Sequence, residues 1–133
     1  MKNLLIEIKE LKAVNYSRND DSFDVVVNFN LNDEQNTINK HVSLKQRPEM
    51  LSHEIVEYVK NFAKDKNKPS IADDFFDSIV VVRYNDDVEE IELKVAGFFR
   101  RFNDNIKNYK AKRYTEGFLT KYSTPDGFSM KIN

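Results

Sequence analysis

The stretch Asp73-Asp74-Phe75-Phe76-Asp77 sets two adjacent carboxylates three residues ahead of a third, a spacing that can hold magnesium with a diphosphate. Such a site usually leans on a bound phosphate substrate and on retained water. Enzymes using this spacing also close a large all-helical pocket around that substrate. A chain of 133 residues, rich in strand patterns and without a second aspartate motif, has no room for one. Acidic residues near a helix start are favoured by the helix dipole in any case. The motif is therefore read as a solvated helix end, and no metal is expected.

The remaining candidates for chemistry are few. His41 and His53 are the only histidines, and neither belongs to a spacing such as H-E-x-x-H. His53 lies one helical turn from Glu49 and Glu57, where a His53–Glu57 surface pair is expected. No Gly-rich loop of a phosphate-cradling type occurs, so no cofactor is expected. The chain contains no cysteine, which excludes disulfides, thiolate catalysis and cysteine-ligated metals. Nothing assembles a nucleophile, a base and an orienting group, so the chain is not read as an enzyme.

Charge is the more informative feature. The formal net charge is −1, so the whole chain offers no field for nucleic acid or an anionic membrane. The signs are nevertheless segregated. Between Asp73 and Glu92 there are eight carboxylates and one base, Arg83. Between Lys94 and Tyr122 eight bases (Lys94, Arg100, Arg101, Lys107, Lys110, Lys112, Arg113 and Lys121) face only Asp104 and Glu116. Phe98, Phe99, Phe102, Tyr109, Tyr114, Phe118 and Tyr122 interleave that basic stretch. Cations with aromatic platforms are what a single-stranded nucleic-acid groove uses. The candidate nucleic-acid residues are thus Arg100, Arg101, Lys110, Lys112, Arg113, Tyr114 and Lys121. The competing explanation is structural: Phe98, Phe102 and Tyr109 form a core stripe, and a basic last turn suits a helix dipole. The cluster at Lys110, Lys112, Arg113 and Tyr114 is least explained that way.

These residues must be carried by elements that periodicity reveals. Residues 22–46 read as an antiparallel hairpin. Phe23, Val25, Val27, Phe29 and Leu31 alternate on one face, residues 32–36 turn the chain, and Ile38, Val42 and Leu44 follow in phase. Residues 3–14 fit a strand through Ile6 and Ile8 and a helix through Leu4, Ile8 and Leu11; a strand joining the hairpin is expected. Pro48 suits a first helical turn, and Leu51, Ile55, Tyr58, Val59 and Phe62 follow at helical spacing. A short helical turn over 71–77 then feeds the strand Ser78–Tyr84.

The segment from 87 to 112 carries Val88, Ile91, Val95, Phe98, Phe102, Ile106 and Tyr109 every three or four residues, a long helix with Gly97 inside it. Asp86 and Glu89 sit at capping-box spacing before it. A hairpin is the rival reading, because Ile91, Leu93 and Val95 alternate with Glu92 and Lys94. A closing hairpin around Pro125-Asp126-Gly127 ends the pattern, with Phe118, Thr120 and Tyr122 before the turn and Phe128, Met130 and Ile132 after it.

The order implies one α+β domain over residues 1–133, an antiparallel sheet packed against two helices, one of them long. The start is too short in apolar residues, and too charged, for a signal peptide or a spanning helix, so a soluble cytoplasmic protein without membrane contact is expected. The function expected from absent chemistry and polar charge segregation is a non-catalytic module docking on a protein partner, of inhibitor, immunity or mobile-element accessory type. Nucleic-acid binding through 100–122 is the alternative. Phe98 and Phe99 stand side by side, and one helix face cannot bury both equally. A homodimer through the long helix would follow if one of them met a second subunit.

Overall fold

The computed structural model describes residues 2–67, 79–115 and 127–133, with side chains from 109 to 115 left aside. Its longest strand, β1 (Lys2–Ser17), lies inside the sheet and is paired along both edges. One edge takes β2 (Ser22–Leu31), which pairs in turn with β3 (Glu34–Ser43), all antiparallel. The strand expected over 3–14 is therefore present and longer than its pattern suggested. The turn between β2 and β3 needs only Asn32 and Asp33. Asn32 adopts φ 54°, a left-handed conformation that asparagine tolerates better than most residues.

The other edge of β1 is divided. Its first part pairs in parallel with β4 (Val80–Tyr84), Lys2 opposite Val80 through Ile6 opposite Tyr84. Its later part pairs antiparallel with β5 (Phe128–Lys131), Glu10 opposite Lys131 through Ala13 opposite Phe128. Between the two, β1 bulges: Ile8 faces Phe29 and Glu10 faces Asn28, leaving Lys9 as the extra residue. The Lys9 carbonyl accepts from the Ile132 N–H at 2.8 Å, and the Asn133 amide donates to the Ile8 carbonyl at 3.1 Å. The sheet is thus mostly antiparallel with one parallel pairing, which the sequence pattern did not contain. The parallel pair arises because helix α1 (Pro48–Lys66) returns the chain, so that β4 starts in the same sense as β1 and β3.

Both helices cover one face of the sheet. Helix α1 starts at Pro48 after an extended Arg47 and buries Leu51, Ile55, Val56, Val59 and Ala63. Helix α2 (Val88–Thr115) confirms the long helix over its hairpin rival. Its cap is Asp87, not Asp86: the Asp87 carboxylate accepts the Glu89 N–H at 3.1 Å. Asp86 is turned instead toward the Asn133 amide, 3.3 Å away. Ile91, Val95, Phe98, Phe99, Phe102 and Ile106 are all buried.

Phe98 and Phe99 are therefore buried together, contrary to the expectation from a single helix face. The sheet is wide enough to receive both. Phe99 meets Phe23 of β2 with ring centroids 6.1 Å apart, and Phe98 meets Phe128 of β5 at 5.7 Å. Neither ring is left for a second subunit. The two chain segments 68–78 and 116–126, which hold the DDFFD motif and the first arm of the closing hairpin, lie outside the described residues.

Candidate functional site

The helices pass each other in opposite senses: Glu49 near the start of α1 meets Arg100 of α2, while Ser52 and His53 meet Glu92. Small buried side chains let them approach. Ser52 on α1 and Ala96 on α2 are 1% and 3% exposed, and the Ser52 hydroxyl donates to the Glu92 carbonyl at 2.5 Å. Above this contact the helices leave a half-open groove of about 320 Å³ lined by Glu49, Ser52, Glu89, Glu92, Leu93, Ala96 and Arg100.

Within α2 the lining residues Glu89, Leu93, Ala96 and Arg100 recur at intervals of four, three and four, which is one stripe of the helix. Leu93 is 69% exposed, the highest value among the large apolar residues described. On α1, Met50 follows Glu49 and is also well exposed. The groove is acidic. The one base among its described lining residues, Arg100, is already ion-paired with Glu49. Hydrogen bonding from its own backbone N–H, and then from Arg100, holds the Glu49 carboxyl below the ordinary carboxylate range. Glu92 approaches His53 Nδ1 at 3.2 Å. The partner of His53 is thus Glu92 across the groove rather than Glu57 one turn along its own helix. Further along α1, the Tyr84 hydroxyl donates to the Val56 carbonyl at 2.7 Å. Burial, helped by the carboxylates of Glu57 and Glu92, pushes that phenol's pKa up.

The Ser52 hydroxyl is spent on the Glu92 carbonyl. Among the described residues no three His, Asp or Glu side chains are placed to hold a metal ion.

Of the residues singled out for nucleic acid, only Arg100 and Arg101 have described side chains. Arg100 belongs to the acidic groove. Arg101 is exposed, with Nη1 3.6 Å from the Met130 sulfur. Lys110, Lys112, Arg113 and Tyr114 lie in the last turns of α2, with side chains outside the described set, and Lys121 lies in the segment 116–126. The proposed platforms Phe98, Phe99 and Phe102 are buried in the core and offer no face to a base.

The sheet's open face holds a second polar constellation. His41 Nδ1 lies 2.8 Å from Asp24, which also accepts the Asn15 amide at 3.0 Å. Hydrogen bonds from Asn15 and then His41 hold the Asp24 carboxyl below its ordinary range. The strand alternation could have placed Asp24 and His41 on this face, since 24 and 41 are cross-strand neighbours. Asn15 could not be found that way, because its φ of 56° breaks the alternation.

No helix among the described residues is long and apolar enough to cross a membrane. Comparisons of the chain with protein-family models, with curated proteins and with solved structures find no match.

Proposed function

We propose that the protein is a non-catalytic docking module that receives a cationic segment of a partner protein in the groove between α1 and α2. The observation that carries this reading is the combination in one groove of a widely exposed Leu93, an apolar Ala96 and three carboxylates against one arginine that is already paired. An apolar anchor on the partner would cover Leu93, and a lysine or arginine beside it would meet Glu89 and Glu92. No base pairs with Glu89 among the described residues. Complementary charge of this kind steers encounter and fixes register more than it adds affinity.

A photo-crosslinking amino acid at Met50 tests the reading in cell lysate. The expected result is one dominant adduct, suppressed by excess unlabelled protein and not by excess Glu89→Lys/Glu92→Lys variant. The same crosslinker at Lys12, on the open sheet face, should not give that adduct. Equal capture from both positions, or equal competition by the variant, would overturn the docking reading.

A second reading rests on the length of α2. The helix runs nine residues past Ile106, the last buried position among its described side chains, and those nine residues include Lys107, Lys110, Lys112 and Arg113. Such a basic extension suits contact with phosphates. Fluorescence anisotropy of labelled single-stranded and duplex oligonucleotides at two salt concentrations checks it. Binding that weakens steeply with salt, and is lost on alanine substitution at Lys110, Lys112 and Arg113, supports it. No binding at low salt removes it.

A further inference from the structure

The outer stripe of α2, bordering the groove at Leu93 and strand β5 at Arg101, reads Glu90, Leu93, Gly97 and Arg101. All but Gly97 are exposed, and a side chain added at Gly97 would meet nothing within 4 Å. One stripe therefore runs from an acid, through a projecting leucine and a bare strip of backbone, to a base. Neither Glu90 nor Arg101 has an ion-pair partner among the described residues.

We infer that this stripe docks onto a second copy of itself, two α2 helices packing in opposite senses about a two-fold axis between Leu93 and Gly97. Leu93 of each copy then lies on Gly97 of the other, a projecting side chain on the one position that has none. The same register brings Glu90 of each copy opposite Arg101 of the other: 93 and 97 sum to 190, and 90 and 101 sum to 191. That is within one residue of perfect opposition, well inside the reach of a glutamate and an arginine. A two-fold axis repeats both pairings, so the patch is complementary to itself, as a closed dimer requires. The parallel arrangement would set Glu90 against Glu90 and Arg101 against Arg101, and is disfavoured by charge.

Outside these central turns the complementarity stops, because Asp104 of one copy approaches the acidic residues that begin α2 in the other. The contact is thus small, and dimerisation is expected at roughly 10–100 µM. This inference stands independently of the docking reading. Leu93 borders both surfaces, so a second copy and a docked partner compete for it.

Sedimentation equilibrium of the purified full chain, from low micromolar to near-millimolar concentration, tests the inference. A monomer–dimer equilibrium is expected for the native chain, and a monomer at every concentration for Leu93→Glu, with circular dichroism checking that the variant is folded. Glu90→Arg and Arg101→Glu should each weaken dimerisation about tenfold, and the double variant carrying both reversals should restore it. Because the chain has no cysteine, Leu93→Cys and Gly97→Cys proteins can be mixed under mild oxidation. The mixed disulfide should dominate over either symmetric one. A native chain that stays monomeric, a double reversal that fails to restore the dimer, or preferential Leu93→Cys self-linking would each overturn it.

Discussion

The Ser52 hydroxyl reaches across the helix pair and donates to the main-chain carbonyl of Glu92 at 2.5 Å, with Ser52 itself almost fully buried. A carbonyl has two lone pairs, so Glu92 can serve its own helix and Ser52 together. The bond is possible only because Ser52 and Ala96 are small where the helices meet. Ser52→Ala should cost about 0.5–1.5 kcal/mol, the net worth of one such bond. Ser52→Leu should cost about 1–3 kcal/mol by forcing the helices apart. Urea denaturation of the two variants checks the order, and equal costs would mean that the interface is not close-packed there.

Asn32 does three things at once. It takes a left-handed φ of 54°, its N–H donates to the Leu5 carbonyl at 2.8 Å, and its side-chain oxygen accepts the Leu5 N–H at 2.9 Å. In effect it extends the β1–β2 ladder beyond the end of β2. Asn32→Gly keeps the backbone conformation and loses the side-chain bond, at about 0.5–1.5 kcal/mol. Asn32→Ala loses both and should cost about 1–2 kcal/mol more. Thermal unfolding of the pair checks whether alanine is the worse substitution.

Gly97 interrupts α2 with no neighbour to require it. At concentrations well below those of the proposed dimer, Gly97→Ala should therefore raise stability by about 1 kcal/mol through helix propensity alone. At high concentration the added methyl falls under Leu93 of a second copy, so the same variant should dimerise less well. Unfolding measured at two protein concentrations separates the two effects.

Acid should destabilise the fold through Asp24, Asp20 and Glu49. Hydrogen bonds from Asn15 and His41 lower the Asp24 pKa, those from Ser22 and Ser17 lower that of Asp20, and its own N–H with Arg100 lowers that of Glu49. A carboxyl whose pKa is lower folded than unfolded contributes stability above its unfolded value, about 4. That contribution is lost as pH falls from there through the folded value. Asn15→Ala should flatten the acid arm of the stability profile and leave it unchanged in shape above pH about 5. An acid arm that is unaltered would show that Asn15 does not act on Asp24.

Much of this architecture is legible in local pattern. Alternation from Phe23 to Leu31 and the stripe from Leu51 to Phe62 are properties of near neighbours, and the elements they specify are present. What escaped the pattern depends on distant residues. The parallel seating of β4 beside β1 is decided by how α1 returns the chain, not by anything within Val80–Tyr84. Phe98 and Phe99 could be judged only against a single helix face until the breadth of the sheet was known. Arg100 looked like part of a basic run because its partner, Glu49, stands 51 positions away. The groove is assembled wholly from such pairs, so its residue types were visible in the sequence and their meeting was not.

The divided edge of β1 bears on how the chain is made. The β1–β2–β3 meander joins near neighbours and can close soon after residue 43 is synthesised, whereas Glu10 waits for Lys131. Throughout that interval the later part of β1 presents main-chain donors and acceptors with no strand to receive them, a template for pairing with another nascent chain. That stretch of β1 is covered only when Phe128–Lys131 arrives, so a chain cut short before residue 128 keeps it open to other chains.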